Sequence, residues 1–137
     1  MKPKTLFQIG TIAKRAGVNI QTLRYYERRN LLRPSRVSTS GYRLYSAEAV
    51  QTLHFIQHAK ELGFKLEEIK QLLALRVSSV NRCESVRKRA KEKLIDVQKK
   101  RRLLLKMEKN LKKLIADCEK NKLSQSCPII ENLEAFS

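Results

Sequence analysis

Three cysteines carry the most legible chemistry in this 137-residue sequence: Cys83, Cys118 and Cys127. Thiolates are soft donors that select mercury, cadmium, lead or zinc over hard cations. An odd number of cysteines cannot pair off within one chain, and reduced thiols fit a cytosolic protein. Cys83 and Cys118 stand 35 residues apart, which is five full heptads. On one helix they would share a face yet lie about 52 Å apart at 1.5 Å per residue, so a single chain cannot close a site with both. Two such helices running antiparallel would bring Cys83 of one subunit beside Cys118 of the other. The nine-residue step to Cys127 would then let a loop fold back over the helix end. Three thiolates would converge, one from the first subunit and two from the second, and symmetry would make two such sites. Structural zinc ordinarily takes four ligands, and no fourth is evident. The alternative is three unrelated cysteines, and the five-heptad spacing together with the Cys127-Pro128 loop weighs against it. His54 and His58 also have a metal-pair spacing, four apart on a helical stretch. No acidic residue or cysteine stands at a helical step to complete that site, so they are read as ordinary helix residues.

The second chemical signal is charge. Lys and Arg number 30 against 13 Asp and Glu, a formal net charge of +17. Residues 1–46 hold ten basic residues and one acidic residue, and residues 87–122 hold fifteen basic and five acidic. The stretch between them is neutral, and the last fifteen residues are net −2. So basic a chain favours a polyanionic partner, nucleic acid above all. No nucleophile–base pair, paired carboxylates or phosphate-cradling glycine loop is visible, so no enzyme is expected. A non-specific architectural DNA-binding protein is the rival reading from charge alone. No run approaches 18 consecutive apolar residues, and the N-terminus lacks a signal peptide's apolar core and cleavage site. A cytoplasmic protein, associated with the nucleoid through DNA and with no membrane partner, is expected.

These groups need elements to position them. Ile9, Ile12, Ala13 and Ala16 mark the inner face of a short helix. Gly17-Val18-Asn19 turns the chain, and Asn19 can cap a second helix from Ile20 to about Arg29. Two short helices around a Gly-containing turn make a helix-turn-helix. Arg24 and Arg28, four apart, fall on a face away from Leu23 and Tyr26. Arg33-Pro34 stops the helix, and residues 33–45 read as a hairpin or wing turning at Ser40-Gly41. Arg36 and Arg43 on that wing, with Tyr25 or Tyr26, are placed at the DNA backbone.

A third helix is expected after a Ser46 cap, with Val50, Leu53, Ile56 or Phe55, and Leu62 inward. A fourth follows from about Leu66 to Leu75, with Ile69, Leu72 and Leu73 inward. From Asn81 to about Glu119 there is neither Gly nor Pro. The heptad positions Cys83, Ala90, Val97, Leu104, Leu111 and Cys118 form an imperfect coiled-coil seam that needs a partner helix. Pro128 opens a short terminal turn from Ile129 to Leu133. The fold class is all-α with a small β wing. It comprises a winged helix-turn-helix domain (residues 6–78), a long antiparallel coiled-coil dimerisation helix (79–120), and a metal-binding loop with a short helix (121–137).

Several runs together resemble the MerR family of transcriptional regulators. They are residues 9–18, Thr22-Leu23-Arg24-Tyr25-Tyr26-Glu27, Leu31-Leu32, Gly41-Tyr42-Arg43-Leu44-Tyr45 and Leu62-Gly63-Phe64. The resemblance covers essentially the whole chain. In the C-terminal half, Cys83-Glu84, the stretch from Lys93 to Val97, Met107-Glu108, Cys118 and Ser126-Cys127-Pro128-Ile129-Ile130 are similar to its mercury-responsive branch. That branch implies Hg(II) held by three thiolates across a homodimer, Cys83 from one subunit with Cys118 and Cys127 from the other. It also implies an inverted-repeat operator duplex and RNA polymerase held at the promoter until metal arrives. Cadmium and lead regulators share much of this cysteine layout. Lys65 departs from the family pattern, standing where a capping Ser or Thr often follows Gly-Phe. The outer face of the long helix is also unusually basic.

Overall fold

A computed structural model describes residues 5–77, 82–120 and 127–135. The chain divides into two compact units, residues 1–90 and 91–137. In the first, β1 (Leu6–Gln8) leads directly into α1 (Ile9–Ala16), followed by α2 (Ile20–Arg28), β2 (Arg36–Val37), β3 (Arg43–Ser46), α3 (Glu48–Glu61) and α4 (Leu66–Val77). The 39-residue α5 (Arg82–Lys120) begins in the first unit and ends in the second, where α6 (Pro128–Glu134) follows. The expected helix start at Asn81, the loop of residues 121–126 and the 78/79 boundary lie outside the described residues.

The first three helices stop in the same way, and the sequence explains why. Gly17 (φ 72°), Asn30 (φ 61°) and Gly63 (φ 90°) each take the left-handed conformation, Gly17 directly after α1 and the other two one residue past the caps of α2 and α3, Arg29 and Leu62. Each donates its N–H to a carbonyl three residues back: Lys14, Glu27 and Lys60. The following residue then donates five residues back, Val18 to Ala13 (3.0 Å), Leu31 to Tyr26 (2.9 Å) and Phe64 to Ala59 (3.1 Å). These are Schellman caps, in which the residue after the left-handed position carries an apolar contact onto the helix. Here Ala13, Tyr26, Leu31 and Ala59 are buried, and Val18 and Phe64 pack against the core. The caps aim the chain from each helix back over the same core.

That core draws on α1 to α4 and on β3. Ile12, Leu23, Tyr45, Leu53, Ile56 and Ile69 are fully enclosed, with Ala13, Ala16, Tyr26, Leu31, Leu32, Ala49 and Ala59 filling between them. Each fully buried aliphatic chain stabilises by about 1.5–3 kcal/mol relative to exposure. The sheet has the order β1-β3-β2, all antiparallel, with Phe7 opposite Tyr45 and Arg36 opposite Leu44. The β2–β3 hairpin is closed by Ser38, whose N–H donates to the Tyr42 carbonyl (2.7 Å) and whose hydroxyl accepts from the Tyr42 N–H (3.0 Å).

Two expectations are corrected. Ser46 does not cap α3: it is the last residue of β3, opposite Leu6, and Ala47 occupies the cap with no side-chain hydrogen bond. Leu62 is not inward; the Schellman turn at Gly63 leaves it 65% exposed. β1 was not foreseen at all. At Lys65 the missing Ser or Thr removes only half of a capping box, since Glu68 still accepts the Lys65 N–H at 2.8 Å.

In the second unit, Leu94, Val97, Leu104, Met107, Leu111 and Ile115 all lie exposed along α5. Leu104 is 62% exposed in the single chain. Such a row of large apolar side chains at heptad spacing is the pattern of a helix with one face for a partner. Lys93 is the buried charged residue there, and its ammonium lies 3.7 Å from Asp96.

Candidate nucleic-acid interface and thiol residues

Asn19 positions α2. Its Oδ1 accepts the Thr22 N–H at 2.7 Å, satisfying one of the orphan donors of the first turn. The helical period then sorts the side chains: Leu23 and Tyr26 enter the core, while Gln21, Arg24, Tyr25 and Arg28 are exposed. Arg24 and Arg28 stand one turn apart, and neither forms an ion pair among the described residues. Tyr25 is 41% exposed. Tyr26 is corrected as a backbone contact: it is 3% exposed, and its hydroxyl accepts from the Lys60 ammonium at 3.4 Å.

The wing supplies the other basic residues. Arg36 is exposed on β2 and unpaired among the described residues. Arg43, on β3, forms a salt bridge with Glu27 of α2. The second oxygen of the same carboxylate accepts the Tyr45 hydroxyl at 2.6 Å. Glu27 is the one acidic residue among the first 46, and both of its oxygens tie α2 to the wing. Burial, the hydrogen bond to Glu27 and the nearby negative charge raise the Tyr45 phenol well above its ordinary value. The wing tip carries Tyr42, 61% exposed, beside Gly41. Sequence reasoning missed Tyr42 as a surface group and Glu27 as an organiser. The Gly-Tyr-Arg turn and the isolation of Glu27 among ten cations were the available signals.

Behind α2, Arg29 pairs with Glu67 of α4 at 3.2 Å. Arg76 of α4 donates to Thr52 (3.2 Å) and Gln51 (3.4 Å) on α3. The start of α5 is fastened to α4 by Arg82, which donates to the Arg76 carbonyl at 3.1 Å, and by Arg89, which donates to Gln71. Cys83 therefore sits on a held turn, exposed at the rim of an apolar groove of about 740 Å³ lined in part by Phe55, Phe64, Leu72 and Val86. Cys118 is half-buried in the last turn of α5, and Cys127 is half-buried at the N-cap of α6, before Pro128. All three are free thiols. Within one chain, no three metal-ligating side chains are grouped among the described residues. His54 and His58 are exposed on α3 with ring centroids 6.4 Å apart.

A capped recognition helix, a basic wing locked to it and a short supporting helix define a winged helix-turn-helix DNA-binding protein. Residues 7–75 match the model of the MerR HTH family regulatory protein, and residues 50–114 match that of MerR, DNA binding. A mercuric resistance operon regulatory protein of Bacillus cereus is 40% identical over 93% of this chain and 96% of its own. A MerR of Bacillus megaterium MB1, solved in complex with mercury (II) ion, is 40% identical with a TM-score of 0.71, over 93% of this chain and 99% of that one. The regulator PbrR691 of Ralstonia metallidurans CH34, solved with lead(II), is 32% identical with a TM-score of 0.80, over 93% of this chain and 98% of that one. The chain belongs to the MerR family: it is a DNA-binding transcriptional regulator and not an enzyme. No described helix is long and apolar enough to cross a membrane.

Proposed function

We propose that this chain is a homodimeric, Hg(II)-responsive regulator of a mercury resistance operon, a repressor without metal and an activator with it. The observation that carries the reading is the placement of the thiols. Cys83 lies in the first turn and Cys118 in the last turn of one 39-residue helix with an exposed apolar seam, and Cys127 follows at the next helix start. Antiparallel pairing of two such helices matches opposite ends, giving Cys83 of one protomer with Cys118 and Cys127 of the other. The donor set fits the ion: three free thiols suit a soft cation. Bound, the ion would supply metal–sulfur bonds joining the helix ends of the two protomers.

The chain's own residues do the rest. Arg24 and Arg28 read bases or phosphates in the major groove, and two copies of α2 address an inverted repeat. Tyr25, Arg36 and Arg43 hold the backbone, giving affinity and salt dependence rather than sequence preference. Arg82, Arg89 and Arg76 link the Cys83 turn through α4 to α3, so a change at the thiols reaches the DNA-binding elements and is expressed as distortion of the promoter duplex. RNA polymerase, held at that promoter in the cytoplasm, is the protein partner. The functional division is 6–78 for DNA binding and coupling, 79–120 for dimerisation and 121–137 for the metal loop.

A Cd(II)-, Pb(II)- or Zn(II)-responsive regulator is the second reading, favoured by the likeness to lead-bound PbrR691. The reduced protein is titrated with Hg(II), Cd(II), Pb(II) and Zn(II) against a competing small thiol, with thiolate–metal ultraviolet bands as the readout. Retention of Hg(II) alone, lost in Cys118→Ser, supports the mercury sensor. Equal retention of cadmium or lead moves the effector and leaves the DNA mechanism in place. Binding to any duplex irrespective of metal would identify an architectural protein instead.

A further inference from the structure

The outer face of α5 has no role in DNA reading, dimerisation or metal binding as described so far. Within the second unit, Lys99, Arg102, Lys106, Lys109 and Lys113 follow one another at steps of three and four. At 3.6 residues per turn that spacing draws a single stripe. It lies on the side of the helix opposite Val97, Leu104 and Leu111. All five side chains are exposed, and none forms an ion pair among the described residues. Of the neighbouring acidic residues, Asp96 faces Lys93 and Glu108 pairs with Lys112 at 2.9 Å, while Asp117, four residues beyond Lys113, closes the stripe at its C-terminal end.

A solvated helix face would alternate signs. Here every neighbouring pair in the stripe, Lys99–Arg102, Arg102–Lys106, Lys106–Lys109 and Lys109–Lys113, is a like-charge pair at i,i+3 or i,i+4. Such pairs weakly destabilise a helix, and a polyanion lying along the stripe would offset that repulsion. Four of the five are lysines, point charges without the planar fork that reads bases or carboxylates bidentately. That composition suits sequence-independent contact with a row of phosphates. The polyanion that a DNA-binding regulator always meets is duplex DNA.

We propose that the stripe Lys99, Arg102, Lys106, Lys109 and Lys113 is a second, sequence-independent contact surface for the phosphate backbone of duplex DNA, outside the winged helix-turn-helix. Such a surface raises affinity for any duplex and adds to the counterions released on binding.

The test uses the full-length protein and a non-operator 40-base-pair duplex. Affinity is measured across NaCl concentrations for the parent and for a variant with all five residues changed to Gln, which keeps helix propensity. Lysine acetylation is footprinted with and without the duplex. Each lost phosphate contact lowers the log K against log[NaCl] slope by about 0.9. The expected result is a slope reduced by at least about 2, with Lys99, Lys106, Lys109 and Lys113 protected by DNA and Lys100 and Lys112 not. Thermal unfolding and metal–thiolate bands verify that the variant is folded. If the variant misfolds, the parent's footprint decides alone, and absence of selective protection overturns the proposal. An unchanged slope in a folded variant overturns it too, as does lost transcription with unchanged DNA binding, which would assign the stripe to an acidic protein surface.

Discussion

Removing the Tyr45 hydroxyl tests whether α2 and the wing are coupled as the geometry indicates. Tyr45 is fully enclosed, and its hydroxyl donates to Glu27 at 2.6 Å. A hydrogen bond to a charged acceptor contributes about 1.5–3 kcal/mol net. Tyr45→Phe deletes the donor and leaves the carboxylate with Arg43, so a loss of about 1.5–2 kcal/mol is expected. Glu27→Ala instead leaves a buried hydroxyl without an acceptor, which costs about 2 kcal/mol. If the two groups act through one bond, the double variant loses at least about 1 kcal/mol less than the sum of the singles. Urea unfolding followed by far-ultraviolet circular dichroism at fixed protein concentration reads these values; with a slope of about 1.5 kcal/mol per molar, Tyr45→Phe shifts the midpoint by about 1 M. The pH dependence has a definite sign. The folded-state phenol is raised above its unfolded value of about 10, so its contribution is complete below pH 10 and is lost as pH rises further. Relative to Tyr45→Phe, the parent loses stability above pH 10 with a slope approaching about 1.4 kcal/mol per unit. A coupling energy within about 0.5 kcal/mol of zero, or parallel alkaline profiles, would refute the reasoning.

Four further outcomes are expected. Gly17→Ala meets no atom within 4 Å yet must hold φ 72°, so a stability loss of about 1 kcal/mol in the same urea assay should arise from the backbone alone. Arg24→Ala should relax operator specificity with a loss of about 1–3 kcal/mol, whereas Arg36→Ala should weaken all duplexes alike and lower the salt slope by about 1, both read by fluorescence anisotropy. Replacing Leu104 and Leu111 together by Lys should convert the proposed dimer to a monomer in light scattering, while the core of the first unit stays folded.

Local signals were legible where one residue type does one job. Asn19 announced the start of α2, and Ile12, Ala13 and Ala16 announced the inner face of α1, because capping and helical period are written within a few residues. β1 was not legible: three residues hold no period, and the strand exists only because β3, almost forty residues later, pairs with it. The same pairing claims Ser46, which on local grounds suits a cap. Tyr26 illustrates a finer limit, since its phenol suits a phosphate contact and only its place in the core, with Lys60 of α3 at its ring, sends it inward while Tyr25 stays out. The cysteines suggest a soft-ion set by their spacing, and the proposed meeting of the three would depend on a second chain whose register the sequence does not specify.

The sharing of Glu27 between Arg43 and Tyr45 has a consequence for any attempt to re-address this regulator. Transplanting a recognition helix from a relative, residues 20–28 alone, would bring in a foreign residue at position 27 unless the donor also has glutamate there. The wing would then lose its anchor whatever bases the new helix prefers. The portable cassette is the continuous stretch from Asn19 to Ser46, in which reading head and brace travel together.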